Sequence, residues 1–263
     1  NLFIDANTGG VSNPNLLPEK TTDYEVGFTQ AITGSSAITI SAFYRELSDM
    51  IQATRVAEAY PFPYTHFDNI DFGTVKGFSF GYDLRRRNNV SLTANYTLQF
   101  ADGTGSSSTT AQQLVNDGFP NLRTTLPLDF DQRHNITANI DYRYGSGLNY
   151  NGPVLFGKKI LQGFGANLVV SAGSGRPYSQ QSNVLAVAQF GVNTRSTLEG
   201  SVNGAREPWT FRTDLRINKE VKFKLSEQRK LGMNVYMMIE NLLNADNIVS
   251  VYRYTGNADD DGY

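Results

Sequence analysis

The chain has 263 residues, 23 lysines and arginines against 25 aspartates and glutamates, and a formal net charge of −2. That balance argues against a duplex nucleic-acid binder, which needs a clustered basic surface. With no cysteine, a disulfide framework and a cysteine-ligated zinc or iron–sulfur centre are excluded.

Residues 1–20 read as a loop, because Gly9-Gly10, Asn13-Pro14 and Pro18 break any regular element. Alternation starts at Thr22 with Tyr24, Val26 and Phe28, turns between Thr33 and Ser36, and returns with Ile38, Ile40, Ala42 and Tyr44. An irregular stretch is expected from about Ser48 to Phe72. It holds Tyr60-Pro61-Phe62-Pro63-Tyr64, where two prolines forbid a central strand. A third strand carries Phe78, Phe80, Tyr82 and Leu84. Arg85, Arg86 and Arg87 lead through a solvated turn into Val90, Leu92, Ala94, Tyr96, Leu98 and Phe100. A loop over about 102–128 includes the Gly/Ser/Thr-rich run Gly103 to Thr110. Ile136, Ala138, Ile140, Tyr142 and Tyr144 mark strand five, and Phe164, Ala166, Leu168, Val170 and Ala172 strand six. A loop over about 173–206 precedes the last hairpin. It contains Val184 to Val192, the nearest approach to a membrane helix, but short of the ~18 residues required and interrupted by Gln189.

That hairpin sets Trp209, Phe211, Leu215 and Ile217 on one face against Arg212, Asp214, Arg216 and Asn218 on the other. After a charged turn (Lys222, Lys224, Glu227, Arg229, Lys230), Leu231, Met233, Val235, Met237 and Ile239 oppose Asn234, Tyr236 and Glu240. Side chains on a strand alternate faces. Soluble strands usually run about 5–6 residues, whereas tilted strands need about 9–11 to cross a bilayer. The alternation here persists over the longer span, so the apolar face reads as lipid-facing and the charged face as turned to a lumen. Arg45, Arg143, Arg212 and Arg216 are expected to point inward, toward a plug or solute path or simply toward lumenal water. Sealing Val90, Ile140 and Val235 in an interior, with Asp141 and Arg212 in bulk solvent, would sink this assignment.

Connections alternate between short and long, with long loops near 1–20, 48–72, 102–128, 173–206 and 245–263. Outer-membrane barrels sort short turns and long loops to opposite ends in this way. The expected fold is all-β: a transmembrane antiparallel β-barrel of about eight strands, with residues 1–263 forming one partial barrel domain. Helix–strand alternation is missing, which disfavours an α/β enzyme.

No catalytic constellation emerges. Asp131, Arg133 and His134 fit a loop-to-strand corner, and Ser201 lacks a nucleophile-elbow pattern. The loop aromatics Tyr60, Phe62, Tyr64 and Phe67, with His66, are candidates for contact with a substrate or partner; packing against neighbouring loops is the alternative. His66 alone makes a poor metal site. Asn257, Asp259, Asp261 and Gly262 match the first half of an N-x-D-x-D-G loop, making calcium a candidate cofactor and a solvated acidic loop the alternative.

Several stretches together resemble the TonB-dependent outer-membrane receptors. Asn13-Pro14-Asn15-Leu16-Leu17-Pro18-Glu19-Lys20-Thr21 followed by Tyr24-Glu25-Val26-Gly27-Phe28 resembles a barrel signature of that family. Val75-Lys76-Gly77-Phe78-Ser79-Phe80 resembles its K-G-x-E strand, with Ser79 where glutamate is common. Phe130-Asp131-Gln132-Arg133-His134, Ser174-Gly175-Arg176-Pro177-Tyr178 and Glu240-Asn241-Leu242-Leu243-Asn244 are similar to further landmarks. The ending, Asn247 to Tyr263, is similar to the Bacteroidetes branch of Oar-like or SusC-like receptors.

The resemblance implies a 22-stranded barrel around a plug, of which this chain would supply the near-C-terminal third, without the plug and before the closing strand. It implies residence in the bacterial outer membrane and energised uptake of an oligosaccharide, peptide or metal chelate, with no enzymatic step. Expected partners are outer-membrane lipid, the rest of the barrel and plug, TonB through the N-terminal part, and a surface lipoprotein. The alternative is a receptor-like scaffold that no longer transports and anchors surface lipoproteins or a secretion complex. A third possibility is a complete eight-stranded barrel with enzymatic or adhesive activity.

Overall fold

The computed structural model describes residues 12–119, 121, 123–184, 197–226 and 229–262. Residues 1–11 of the first expected loop, most of the Val184–Val192 run and Glu227 lie outside them. Eight long strands, here β1 to β8, follow one another as Lys20–Thr33, Ser36–Val56, Tyr64–Arg87, Val90–Gly103, His134–Arg143, Phe164–Gly173, Thr210–Ser226 and Arg229–Ile239. Each pairs antiparallel with its sequence neighbours in a single meander. The sequence periodicity therefore marked part of each of these eight strands. No helix of the described residues is long and apolar enough to cross a membrane; a short α-helix, α1 (Gln112–Asn116), packs on β2.

Register aligns the alternation of separate strands into continuous rows. Phe28, Ile40, Phe80, Tyr96, Ile136, Ala172 and Phe211 lie opposite one another from β1 to β7. Leu84, Leu92, Ile140, Leu168, Leu215 and Ile239 make a second apolar row from β3 to β8. None of these side chains is buried. On the other face, Thr29, Thr39, Gly81, Asn95, Thr137, Ser171 and Arg212 form a polar row. Hydrogen bonds tie neighbours on that face: Thr29 to Thr39 at 2.9 Å, and the Asn167 amide donating to Asn139 Oδ1 at 2.6 Å. Val235 is 52% exposed, whereas the Asp141 side chain is only 17% exposed beside Arg86 and Arg143. The arrangement that would sink the membrane assignment is not the one observed.

Tight turns sit at one end. Gly34-Ser35 joins β1 to β2, and Asn88-Asn89, both at positive φ, joins β3 to β4; such turns match the twist of the flanking strands. The other end carries the long connections, and the core is there. Val75, Ala101 and Leu128 are buried, with Phe43 and Leu47 packed against them.

Three expectations about loops and turns change. The stretch from 48 to 72 is mostly not a loop: β2 and β3 stay paired to Val56↔Tyr64, leaving only residues 57–63 as the turn. Both prolines sit in that turn. A register shift around Met50, with Asp49 at φ 56°, resets the faces midway, and this hid the strand from a period-two reading. Likewise the charged turn of the last hairpin is shorter than expected, since β7 runs to Ser226 and β8 starts at Arg229. Arg85 to Arg87 end β3 rather than forming a turn, and Arg86 is ion-paired with Asp141.

Candidate functional site

The long-loop end is built by the sequence landmarks. The segment before β1 lies along the β2–β3 hairpin: the Asn13 amide donates to Phe67 O at 3.0 Å, and Asn69 both accepts from Leu17 N at 2.7 Å and donates to Leu17 O at 2.9 Å. Glu19 accepts from Ile51 N at 2.9 Å. Gly77 is required because a Cβ there would collide with the Leu98 carbonyl and the Phe43 ring.

Asp131 is 1% exposed. Its carboxylate accepts the Ala101 N–H at 2.8 Å and pairs with Arg206, which also donates to the Asp131 carbonyl. Arg133 lies 3.7 Å away and over the Phe100 ring. Asp131 thus ties β4, the loop before β5 and the loop before β7 together. Gln132 donates to Ser174 O at 3.0 Å, and Ser174 Oγ accepts from His134 N at 2.9 Å. A Cβ at Gly175 would strike the Glu207 carbonyl, so glycine lets these two strands of chain meet. Asn203 adds a third tie, donating to Pro127 O at 2.8 Å and Asp129 Oδ1 at 2.7 Å. Burial, with the Glu207 charge nearby, raises the Tyr178 phenol above its ordinary value.

The aromatic candidates separate. Tyr60 is 98% and Phe62 76% exposed at the hairpin tip. Tyr64 begins β3, its ring 5.7 Å from that of His66. His66 faces Asp68 at 3.8 Å, and its Nδ1 is buried without a partner. Phe67 pairs with Ala53 beside a cavity of only 10 Å³, too small for a solute. Tyr60 and Phe62 are the most exposed of the set, and Tyr64 is 38% exposed.

Asn257 Oδ1 accepts from Asp259 N at 3.3 Å, as in an ordinary turn. Among the described residues no three His, Cys, Asp or Glu side chains group as metal ligands.

The arginines expected to point inward lie on the polar face, each with a partner in the wall. Arg45 pairs with Asp23 at 2.5 Å, Arg143 with Asp141 at 3.3 Å, and Arg212 with Asp214 at 2.9 Å and Glu240 at 3.2 Å; Arg216 stacks on Tyr236 at 4.7 Å. Sequence reading missed Gln52, Asp71, Asn203 and Arg206. Gln52 is buried, donates to Asp71 at 2.9 Å and Ser107 O at 3.0 Å, and accepts from Ala111 N at 3.3 Å. A polar pair inside strands that break the alternation was the available signal.

A family model described as "TonB dependent receptor-like, beta-barrel" matches residues 1–242. No curated protein matches by sequence. Among solved structures, the outer membrane transporter YddB from Escherichia coli is similar over 90% of this chain, with a TM-score of 0.57 and 14% identity. The FrpB iron transporter from Neisseria meningitidis (F3-3 variant) is similar over 90%, with a TM-score of 0.52 and 14% identity. The chain spans 31% and 29% of those two proteins.

Proposed function

Because the chain belongs to the TonB-dependent receptor-like β-barrel family, we propose that it is wall and outer loops of a larger outer-membrane barrel whose whole protein takes up a nutrient with energy from TonB. The observation that carries this is the pair of apolar rows crossing the sheet with none of their side chains buried. Water would penalise such a surface, at roughly 25 cal/mol per Å² of apolar area; hydrocarbon would not. β1 and β8 each pair on one side only. An unpaired strand edge in lipid costs several kcal/mol per polar group, so further strands of the same barrel close it. The cargo is an oligosaccharide, peptide or metal chelate, and the Oar-like or SusC-like branch is the placement that the ending Asn247 to Tyr263 supports. We assign no reaction to the protein.

Uptake of candidate solutes by cells carrying the full-length protein tests this reading. Accumulation should cease when TonB is deleted. Accumulation that continues unchanged would refute energised transport.

The bare aromatic tip favours a second reading, a scaffold on which a surface lipoprotein rests. Under it, Tyr60→Ala with Phe62→Ala abolishes co-purification of a lipoprotein while the protein imports nothing. Under the transport reading the same pair of changes leaves TonB-dependent accumulation measurable.

A further inference from the structure

A cavity of about 370 Å³ opens beside the β2–β3 hairpin, lined on its other side by Gly118, Phe119, Asn121 and Arg123. Its volume suits a small solute, which pockets of roughly 300–1,000 Å³ accommodate. Two arginines, Arg55 and Arg123, line it together with Asn121, Ile70 and Phe119, and no carboxylate is among the described lining residues. Both cations are placed by the backbone. Gly118, at φ +87°, leaves the space that the Arg55 guanidinium occupies; a Cβ there would lie 2.9 Å from it. Arg123 donates to the Ile70 carbonyl at 3.0 Å, which fixes one edge of its fork and leaves its other donors. Asn121 is anchored to Ala53 O at 2.7 Å. Phe119, 60% exposed, supplies an apolar wall.

The geometry points to this cavity as a binding site for an anionic solute, one bearing a carboxylate or phosphate group on a body small enough for Phe119 and Ile70 to cover. Guanidinium forks match the paired oxygens of both groups. Two forks with no carboxylate among the described lining residues make the cavity electropositive, and a neutral sugar would leave those charges uncompensated. The inference rests on the transport reading and narrows its cargo: acidic peptides, acidic sugars and carboxylate metal chelates fit, and neutral oligosaccharides do not.

Titration calorimetry on the full-length protein, purified in detergent, tests the site with citrate, inorganic phosphate and maltotetraose as probes. Citrate or phosphate should bind, and maltotetraose should not; which anion binds more tightly identifies the preferred group. Arg55→Gln and Arg123→Gln should each weaken anion binding at least tenfold, Arg55→Lys should weaken it less, and added salt should weaken it further. No anion binding at millimolar concentration, equal binding of maltotetraose, or unchanged affinity in both glutamine variants would overturn the site. Arg55 lies at the long-loop end of β2 and Arg123 outside the strands, so unchanged strand circular dichroism shows that the variants fold. Recovery of the protein in the outer-membrane fraction is scored separately. A protein that reaches the membrane but binds no anion refutes only this inference; one that never reaches it refutes the barrel.

Discussion

Asp131 shows how one buried carboxylate can organise several loops. Its side chain meets a backbone N–H of β4, Arg206 from the loop before β7, and the nearby Arg133. Removing one partner of a buried ion pair strands the other charge, at a cost of about 3–5 kcal/mol. Asp131→Ala should therefore loosen the segments around 126–133 and 203–207 while the strands persist. Hydrogen exchange would report faster exchange at Ala101 and Ser174 with β5 still protected. Gly175→Val should free the same region by forcing Glu207 away. Tyr178 gives the site a pH limit. Its phenol titrates above the ordinary value of 10.0 because burial disfavours the phenolate. The stability linked to it is complete below the unfolded value and falls as pH rises through the raised folded value. Proteolysis of the 174–184 region should accelerate in alkali only above about pH 10, and Tyr178→Phe should remove that onset.

At the scale of the strand, the two faces predict opposite tolerance. Ile140 lies in an apolar row and Asn139 in a polar one, one residue apart on β5. A lysine at the bilayer midplane costs about 2–4 kcal/mol, and much less at the interface or in the lumen. Ile140→Lys should lower the yield of folded protein in the outer membrane, and Asn139→Lys should not; equal effects would contradict the assignment of faces. Trp209 stacks on His134, with ring centroids 5.4 Å apart, at the long-loop border of the apolar face. Tyr96 donates to or accepts from His134 at 2.9 Å beside it. Such rings belong at the level of the headgroups. Brominated lipid should quench a fluorescence component that Trp209→Phe abolishes.

For the whole molecule, the sheet is a meander whose tight turns and long loops occupy opposite ends. Its packed core lies at the loop end, not between layers. A soluble sandwich would cover one face with a second sheet; here the apolar rows remain uncovered among the described residues. The described packing is therefore concentrated at the long-loop end, and the strands beneath it form a single-layered wall with an uncovered apolar face.

The number, order and facing of the strands were determined by the sequence, since a period of two survives wherever one face meets hydrocarbon and the other water. Val90 to Phe100 needed no tertiary information. Above the membrane that solvent asymmetry ends, and so does the signal: the paired stretch from Met50 to Asp71 looked like a loop because neither face had to be greasy. Only the folded chain could bring Asp131 to Arg206, 75 residues apart, or place Arg55 and Arg123 on one cavity. Those contacts join distant segments through single side chains, and no local periodicity marks a residue whose partner is chosen by the path of a loop.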